Sequence, residues 1–357
     1  MSNEKFDLEE VRNALRVIGE NDQAREKFLV MCKAIENDIK NYPGSVRDSV
    51  VGPLVDALHD ENTVVRKVLR DGTVFEFLYR TKIARDFVLS SPVNPDHVWE
   101  PQTTKLLVHL ASQCSDVLVG GAYFGDQAVL MARAMSARNG RCHTFEPNRQ
   151  QLDMLRNNAS LNGISNVLSW DLGLWSDSKT CLRLVGNDSF AHSVPTGGGG
   201  EEDFSTISID DYCVQQNIAK LGLIMLDIEG AESKVLAGAL KQLSRPAGDA
   251  PNIVFEVHRH YVDWTNGLAE TPISRFLIDF GYTLFAVRDF NSNVNMSGRP
   301  VELIPLDDVY LEGPPHGFNV LAIKNERVLD GLAVAYCSGV SPKLLWHKDP
   351  ALHHPLS

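Results

Sequence analysis

Two kinds of apolar spacing divide the chain near residue 95. Before that point apolar residues recur at helical intervals: Val11, Leu15 and Ile18, then Phe28, Met31, Ile35, Ile39 and Tyr42, then Val50, Leu54 and Leu58. This period predicts amphipathic helices. Asp7 and Glu10 stand at capping-box spacing before the first. Pro43-Gly44 stops the second, and Gly52-Pro53 bends or splits the third. Val74 to Leu89 is rich in aromatic and basic residues and reads as a further helical stretch, with no strand alternation. Residues 1–95 are thus expected to form a helical appendage: a cap, a lid or a dimerisation segment. It carries no nucleotide motif and is expected to be dispensable for cofactor binding.

After residue 95 the pattern changes to short apolar runs alternating with helical periods. Val117–Val119, CHTFEPN, Val167–Trp170, LGLIMLD, NIVFEVH, TLFAVR and FNVLAIK read as strands, most of them buried on both faces. Helical stretches separate them, including one through Leu152, Leu155 and Leu161 that Asn162-Gly163 ends. Such alternation predicts an α/β fold with a mostly parallel sheet and helices on both faces. Thr180–Ser208 is expected to be a hairpin with a flexible polar loop, PTGGGGEED. Asp289–Gly317 reads as a long variable loop, and the tail 326–357 as an extension with little periodicity.

The chemistry concentrates where the first core strand ends. Gly120 and Gly121 follow Val119 and allow a tight turn, and Gly125 stands where the next helix begins. Asp126 suits the first turn of that helix. About twenty residues beyond Gly125, Glu146 ends the second strand, where an acid can accept hydrogen bonds from ribose hydroxyls. Alternatively Glu146 caps a helix starting near Pro147.

GGAYFGD, FEPNRQQLDMLRNNASLNGISNV, TISIDDY and IMLDIEGAESKVLAGA follow in order the blocks that mark the FkbM family of S-adenosylmethionine-dependent methyltransferases. The chain resembles that family from roughly Trp99 to Asn325. The resemblance implies a Rossmann-like class I methyltransferase domain over residues 96–325, with a seven-stranded sheet. It also implies contacts to S-adenosylmethionine from Gly121, Ala122, Tyr123, Phe124, Gly125 and Asp126 in the turn. Glu146, Pro147 and Asn148 are expected on the ribose. In this architecture Asp171 and Leu172, just past the third strand, would bracket the adenine, with Trp175 a further candidate. Trp99, Glu100, Gln102 and Thr103 would lie beside the sulfonium end, unless Thr103 or Thr104 only caps a helix. Two positions depart from the family. Val119 stands where many members have an acid that anchors the methionine amino group, and Met225 stands where many have a lysine.

Adjacent parallel strands deliver their carboxyl ends to one crevice, so Asp227, Glu229, Glu256 and His258 should converge near the methyl donor. Transfer to a hydroxyl needs a base or a metal. His258 is the first choice of base and Asp227 the second. Asp227, Glu256 and His258 could instead ligate Mg²⁺ or Mn²⁺. The acceptor implied by the resemblance is a hydroxyl on a sugar, glycan, glycolipid or polyketide-type natural product. Acceptor contacts are expected from Asn293, Asn295 and His316, and less readily from Trp346, His347, His353 and His354. Tyr79, Arg80, Lys82 and Arg85 either face an anionic substrate or pair with acids.

Composition narrows the partners. A net charge of −12 argues against broad nucleic-acid contact. No run reaches the ~18 apolar residues of a membrane span, and the start lacks a secretory pattern, so a cytoplasmic site is expected. The six cysteines show no zinc or CxxC spacing and read as free thiols. Two other readings remain: a non-catalytic S-adenosylmethionine-binding partner in a biosynthetic complex, and a nicotinamide-dependent oxidoreductase, for which GxGxxG is missing.

Overall fold

The computed structural model describes residues 8–186, 191–290, 292–311 and 317–344. Asp7, His316, Trp346, His347, His353 and His354 lie outside them. The chain starts with α1 (Leu8–Glu20), α2 (Asp22–Asp38) and α3 (Gly52–Asp56), a π-helical turn at Arg47–Val51 leading into the last. At Gly52-Pro53, where a bend or split is expected, the helix changes from π to α without a break. Asn21 caps α2, its side chain accepting from Ala24 N. The buried side of α2 is Leu29 and Cys32 with Phe28 and Ile35 packed alongside, whereas Met31 is exposed.

The appendage is not all-helical. β1 (Val64–Val68) and β2 (Val74–Leu78) form an antiparallel hairpin before α4 (Lys82–Val88). Phe75 and Phe77 alternate with Glu76, a period of two in only five residues, too short to stand out from the helical segments around it. Tyr79 donates to Asp56, Lys82 pairs with Asp48 and Asp86, and Arg85 pairs with Asp48 and Asp56. The aromatic-basic stretch is thus held mainly by acids of the appendage itself.

The central part contains α5 (Pro101–Ala111), β3 (Asp116–Gly120), α6 (Ala128–Met135), β4 (Arg141–Phe145), α7 (Arg149–Leu161) and β5 (Val167–Trp170). A four-stranded sheet comes after them, built from β6 (Gly173–Leu174), β7 (Cys181–Val185), β8 (His192–Thr196) and β9 (Asp203–Ile207). Next come α8 (Ile209–Gln215), β10 (Leu223–Leu226), α9 (Glu232–Ala237), α10 (Leu240–Leu243), β11 (Asn252–Val257), α11 (Pro272–Asp279) and β12 (Thr283–Val287). The chain then adds β13 (Asp289–Phe290), β14 (Val301–Pro305), β15 (Phe318–Ile323), β16 (Val334–Tyr336) and β17 (Lys343–Leu344).

The main sheet has nine strands in the order β16-β14-β12-β15-β11-β10-β3-β4-β5. Its portion from β5 to β12 is the expected class I arrangement, with β15 the reversed strand between β11 and β12. β14 and β16 extend the sheet beyond seven strands. They come from segments expected to be loop and tail. Both are short strands near one edge, whose weak alternation makes them hard to see in sequence. From β3 the chain first builds outward through β4 and β5, then returns to place β10 on the other side. The carboxyl ends of β3 and β10 therefore flank the crevice where such sheets bind ligands.

Apolar side chains fill both faces of the sheet. A third cluster ties the appendage to the glycine turn: Phe75, Phe77 and Phe87 share it with Phe124, Val129 and Leu130. All six cysteines are free, and no helix among the described residues is long and apolar enough to cross a membrane.

Candidate active site

Gly121 begins the turn at φ +75°, and a Cβ there would overlap the Asp227 carbonyl oxygen. Only glycine permits both the left-handed backbone and this close approach of the β3 and β10 ends. Tyr123 also has a positive φ, +47°, as do Glu100 at +45° and Glu229 at +53°. Strained backbone of this kind persists where the surroundings over-determine it, and it gathers at functional sites. All three of these residues line one cavity of about 340 Å³ at the carboxyl ends of β3, β4, β10 and β11.

Glu146, just past β4, is the best-anchored acid there. One carboxylate oxygen accepts from Tyr123 N at 2.9 Å and the other from Asn148 N at 2.8 Å. Asn148, rather than Glu146, caps α7, its side chain accepting from Gln150 N and Gln151 N. Glu146 thus braces the glycine turn while facing the cavity.

The other walls come from distant parts of the chain. Thr81, Lys82 and Ile83 reach in from the appendage, Leu184, Ala191 and Ser193 from the β7–β8 hairpin, and Lys343 from β17. Of the residues expected to touch the cofactor, Glu100, Gly121, Ala122, Tyr123, Asp126, Glu146, Pro147 and Asn148 line the cavity, as does Trp99. Phe124 and Gly125 face other packing: Phe124 stacks on Phe77, and the space over Gly125 is taken by Leu155 and Val129. Asp171 is exposed, and Leu172 and Trp175 are half-buried; none of the three belongs to the lining. Thr103 is buried in the first turn of α5, where the backbone N–H groups of Gln102 and Thr103 donate to Asp289. That cap comes from a residue far along the chain, which no local pattern reveals. Asn293 donates to the His97 and Val98 carbonyls, and Asn295 accepts from Arg70, so neither asparagine faces the cavity.

Acids dominate the interior. Asp227 follows β10, Glu256 sits near the end of β11, and Glu100, Asp126, Glu229 and Glu232 gather round them. Burial and the Asp227 and Asp289 charges push Glu100 up to about 8. Burial, then Asp227, raises Asp126 to about 7, and burial with Asp227 and Glu232 raises Glu229 to about 7. Burial likewise takes Glu232 to about 7, against the pull of the Ile228 and Gly230 N–H groups. Asp227, raised by burial, stays lower, at about 6, because the Lys343 ammonium and a hydrogen bond shared with Glu256 favour its charge. Glu256 is pushed well up by burial and by Asp227, Glu229 and Glu100. Crowded carboxyls of this kind divide into one that ionises and one that keeps its proton.

Such shifts fix a pH dependence. A carboxyl whose pKa is raised on folding stabilises the native state below its unfolded pKa and loses that contribution as pH rises through the native value. The unliganded protein is therefore expected to lose stability from about pH 4 to about pH 8. Asp126→Asn should flatten the decline. Urea midpoints measured across that range check this; equal slopes in the two proteins would refute it.

His258 lies just past β11 and lines the cavity. Its Nδ1 accepts from His260 N at 3.1 Å, and its ring stacks on His260 with centroids 4.8 Å apart. With Nδ1 engaged as an acceptor, the neutral ring carries its proton on Nε2 and is a donor there. This arrangement suits a hydrogen-bonding role better than proton abstraction. One oxygen each of Asp227, Glu229 and Glu256 lies within 4.8 Å of the others, a grouping that does not include His258.

The family model of the methyltransferase FkbM domain matches residues 120–284, from the glycine turn into β12. No curated protein matches the chain. Among solved structures, a methyltransferase FkbM from Methylobacillus flagellatus KT is 13% identical, with TM-score 0.35, covering 58% of this chain and 43% of its own. The chain thus spans less than half the length of that protein. TomG, an O-methyltransferase of tomaymycin synthesis from Streptomyces achromogenes solved with SAM, is 15% identical at TM-score 0.34. That match covers 65% of this chain and 84% of TomG. An O-methyltransferase from Bacillus cereus in complex with SAH is 16% identical at TM-score 0.34, covering 62% and 80%. Residues 120–284, which hold the glycine turn, Glu146 and the acids after β10 and β11, are the part of the chain that matches the methyltransferase FkbM domain.

Proposed function

We propose that the cavity binds S-adenosylmethionine and transfers its methyl group to a hydroxyl of a sugar, glycan, glycolipid or polyketide-type acceptor. The observation that carries this reading is the acidic cavity beside the braced glycine turn. S-adenosylmethionine brings a sulfonium and an ammonium against one carboxylate, so it supplies the positive charge that Glu100, Asp126, Asp227 and Glu229 lack. Glu146 takes the ribose hydroxyls. Glu100, which accepts from Gln127 Nε2 at 3.1 Å, takes the methionine ammonium in place of the acid missing at Val119.

In the reaction, the acceptor oxygen attacks the methyl carbon in line with the sulfur. The C–S bond breaks with its electron pair going to sulfur, which leaves a neutral thioether, and the hydroxyl proton passes to the carboxylates at the β10 and β11 ends. Holding the groups in line can supply ~7–11 kcal/mol of the barrier. A carboxyl near 6, such as Asp227, is matched to proton transfer at neutral pH. Lys82, Ile83 and Ser193 at the cavity wall are the acceptor-side contacts.

Calorimetric titration with S-adenosylmethionine and its demethylated product tests the binding step. Glu146→Ala should weaken both by roughly ten- to a hundred-fold, the worth of a charge-assisted hydrogen bond of ~1.5–3 kcal/mol. Unchanged affinity would remove Glu146 from the ribose site.

A further inference from the structure

A second cavity, of about 760 Å³, lies between the appendage and residues 292–299, and every residue on its wall falls outside residues 120–284. It adjoins the first. Lys82 lines both, and in β17 Lys343 faces the first cavity while Leu344 faces the second, as neighbours in a strand point to opposite sides. Asn293 and Asn295, which turn away from the first cavity, line this one. Asn293 is 6% exposed, and its Nδ2 donates to the His97 and Val98 carbonyls at 2.9 Å each. Those two carbonyls fix the amide, because a flipped Oδ1 would face acceptors. The Oδ1 is left with no donor among the described residues. Buried acceptors seldom stay so, and a ligand hydroxyl would satisfy this one.

Charge selects the rest of the ligand. Arg47 is held by Glu36 and Lys82 by Asp48, and Asp86 lies against both cations. Lys40 and Arg299 also line the cavity, and neither has an acid partner among the described residues. Arg299 rests over the Phe290 ring, 5.8 Å from its centroid. The acids of the wall are therefore already matched, and two cations remain for an anion.

We propose that the second cavity holds the far end of the acceptor, and that the acceptor is an extended polyhydroxylated molecule carrying a carboxylate or a phosphate. The inference deepens the proposed reaction and rests on it. The hydroxyl to be methylated sits in the first cavity, and the molecule passes Lys82 into the second. There one of its hydroxyls donates to Asn293 Oδ1, and its anionic group meets Lys40 and Arg299. An ammonium and a guanidinium suit either anion. Anchoring the remote part in this way positions the reacting hydroxyl, which is how distant binding energy assists the chemical step.

Calorimetric titration of the full chain with trigalacturonate, glucose 1-phosphate and neutral maltotriose tests the site. At least one anionic probe should bind saturably, about tenfold or more tightly than maltotriose. Trigalacturonate alone assigns a carboxylate, and glucose 1-phosphate alone a phosphate. Lys40→Gln combined with Arg299→Gln should weaken that binding by about tenfold or more, and Asn293→Leu should weaken it too. Lys27→Gln, an exposed lysine elsewhere on α2, should leave it unchanged. Unfolding midpoints identify any variant that fails to fold, and the remaining variants then decide. Absence of saturable binding by both anionic probes, equal binding of maltotriose, or binding unaltered in the folded variants overturns the site. Titration with the demethylated cofactor in the same samples separates the two readings. Cofactor affinity without probe binding removes the second cavity and leaves the methyl-donor site, while probe binding without cofactor affinity removes the reaction on which its role depends.

Discussion

Asp227→Asn is expected to lower the turnover number by ~10²–10⁴-fold, the range for loss of a group that handles a proton in the transition state. Asp227 stands where the ends of β3, β10 and β11 meet. Its backbone N–H donates to the Gly120 carbonyl at 3.1 Å, its carbonyl abuts Gly121, and its carboxyl shares a hydrogen bond with Glu256. Asparagine keeps the size and the backbone contacts but cannot ionise, so the fold should survive while the charge is lost. His258→Ala should cost less, because its Nδ1 is engaged with His260 N. Steady-state rates of both variants on a hydroxylated acceptor that the wild type methylates check the order. A larger loss at His258 than at Asp227 would return the imidazole to the role of base.

The second large effect is on stability, and it arises outside the matched domain. Phe77→Ala is expected to destabilise the protein by ~3–5 kcal/mol, as for other fully buried phenylalanines. Phe77 is completely buried and lies against Phe124, with ring centroids 5.8 Å apart and planes 28° from parallel. It also meets Phe87 at 5.2 Å. Because Phe124 follows Tyr123 in the glycine turn, cofactor affinity should fall along with stability. Truncation near Pro92 would uncover the same surface, so cofactor binding should depend on the appendage even though it carries no nucleotide motif. Val64→Ala on the exposed side of the hairpin should stay within about 0.5 kcal/mol. Urea unfolding of the two variants measures the contrast; similar small losses would show that the hairpin merely rests on the turn.

The repeating α/β core and the address of its crevice are written in the order of residues. Val117–Val119 running into Gly120-Gly121, with Glu146 about twenty residues beyond Gly125, is local information: strand period, glycine backbone freedom and a fixed connection length. The acids at Asp227 and Glu256 were legible for the same reason, since adjacent parallel strands bring their ends together. The rest depends on tertiary structure. Lys343 and Lys82 enter the cavity from opposite ends of the chain, and Asp289 caps α5 across 187 residues. Asn319 faces Glu256 only because β15 runs backwards beside β11. Likewise the raised acids result from burial and mutual charge, which depend on the neighbours each side chain meets in space. A periodic pattern encodes which way a side chain points along its own element; it holds no record of the partner that another element will bring.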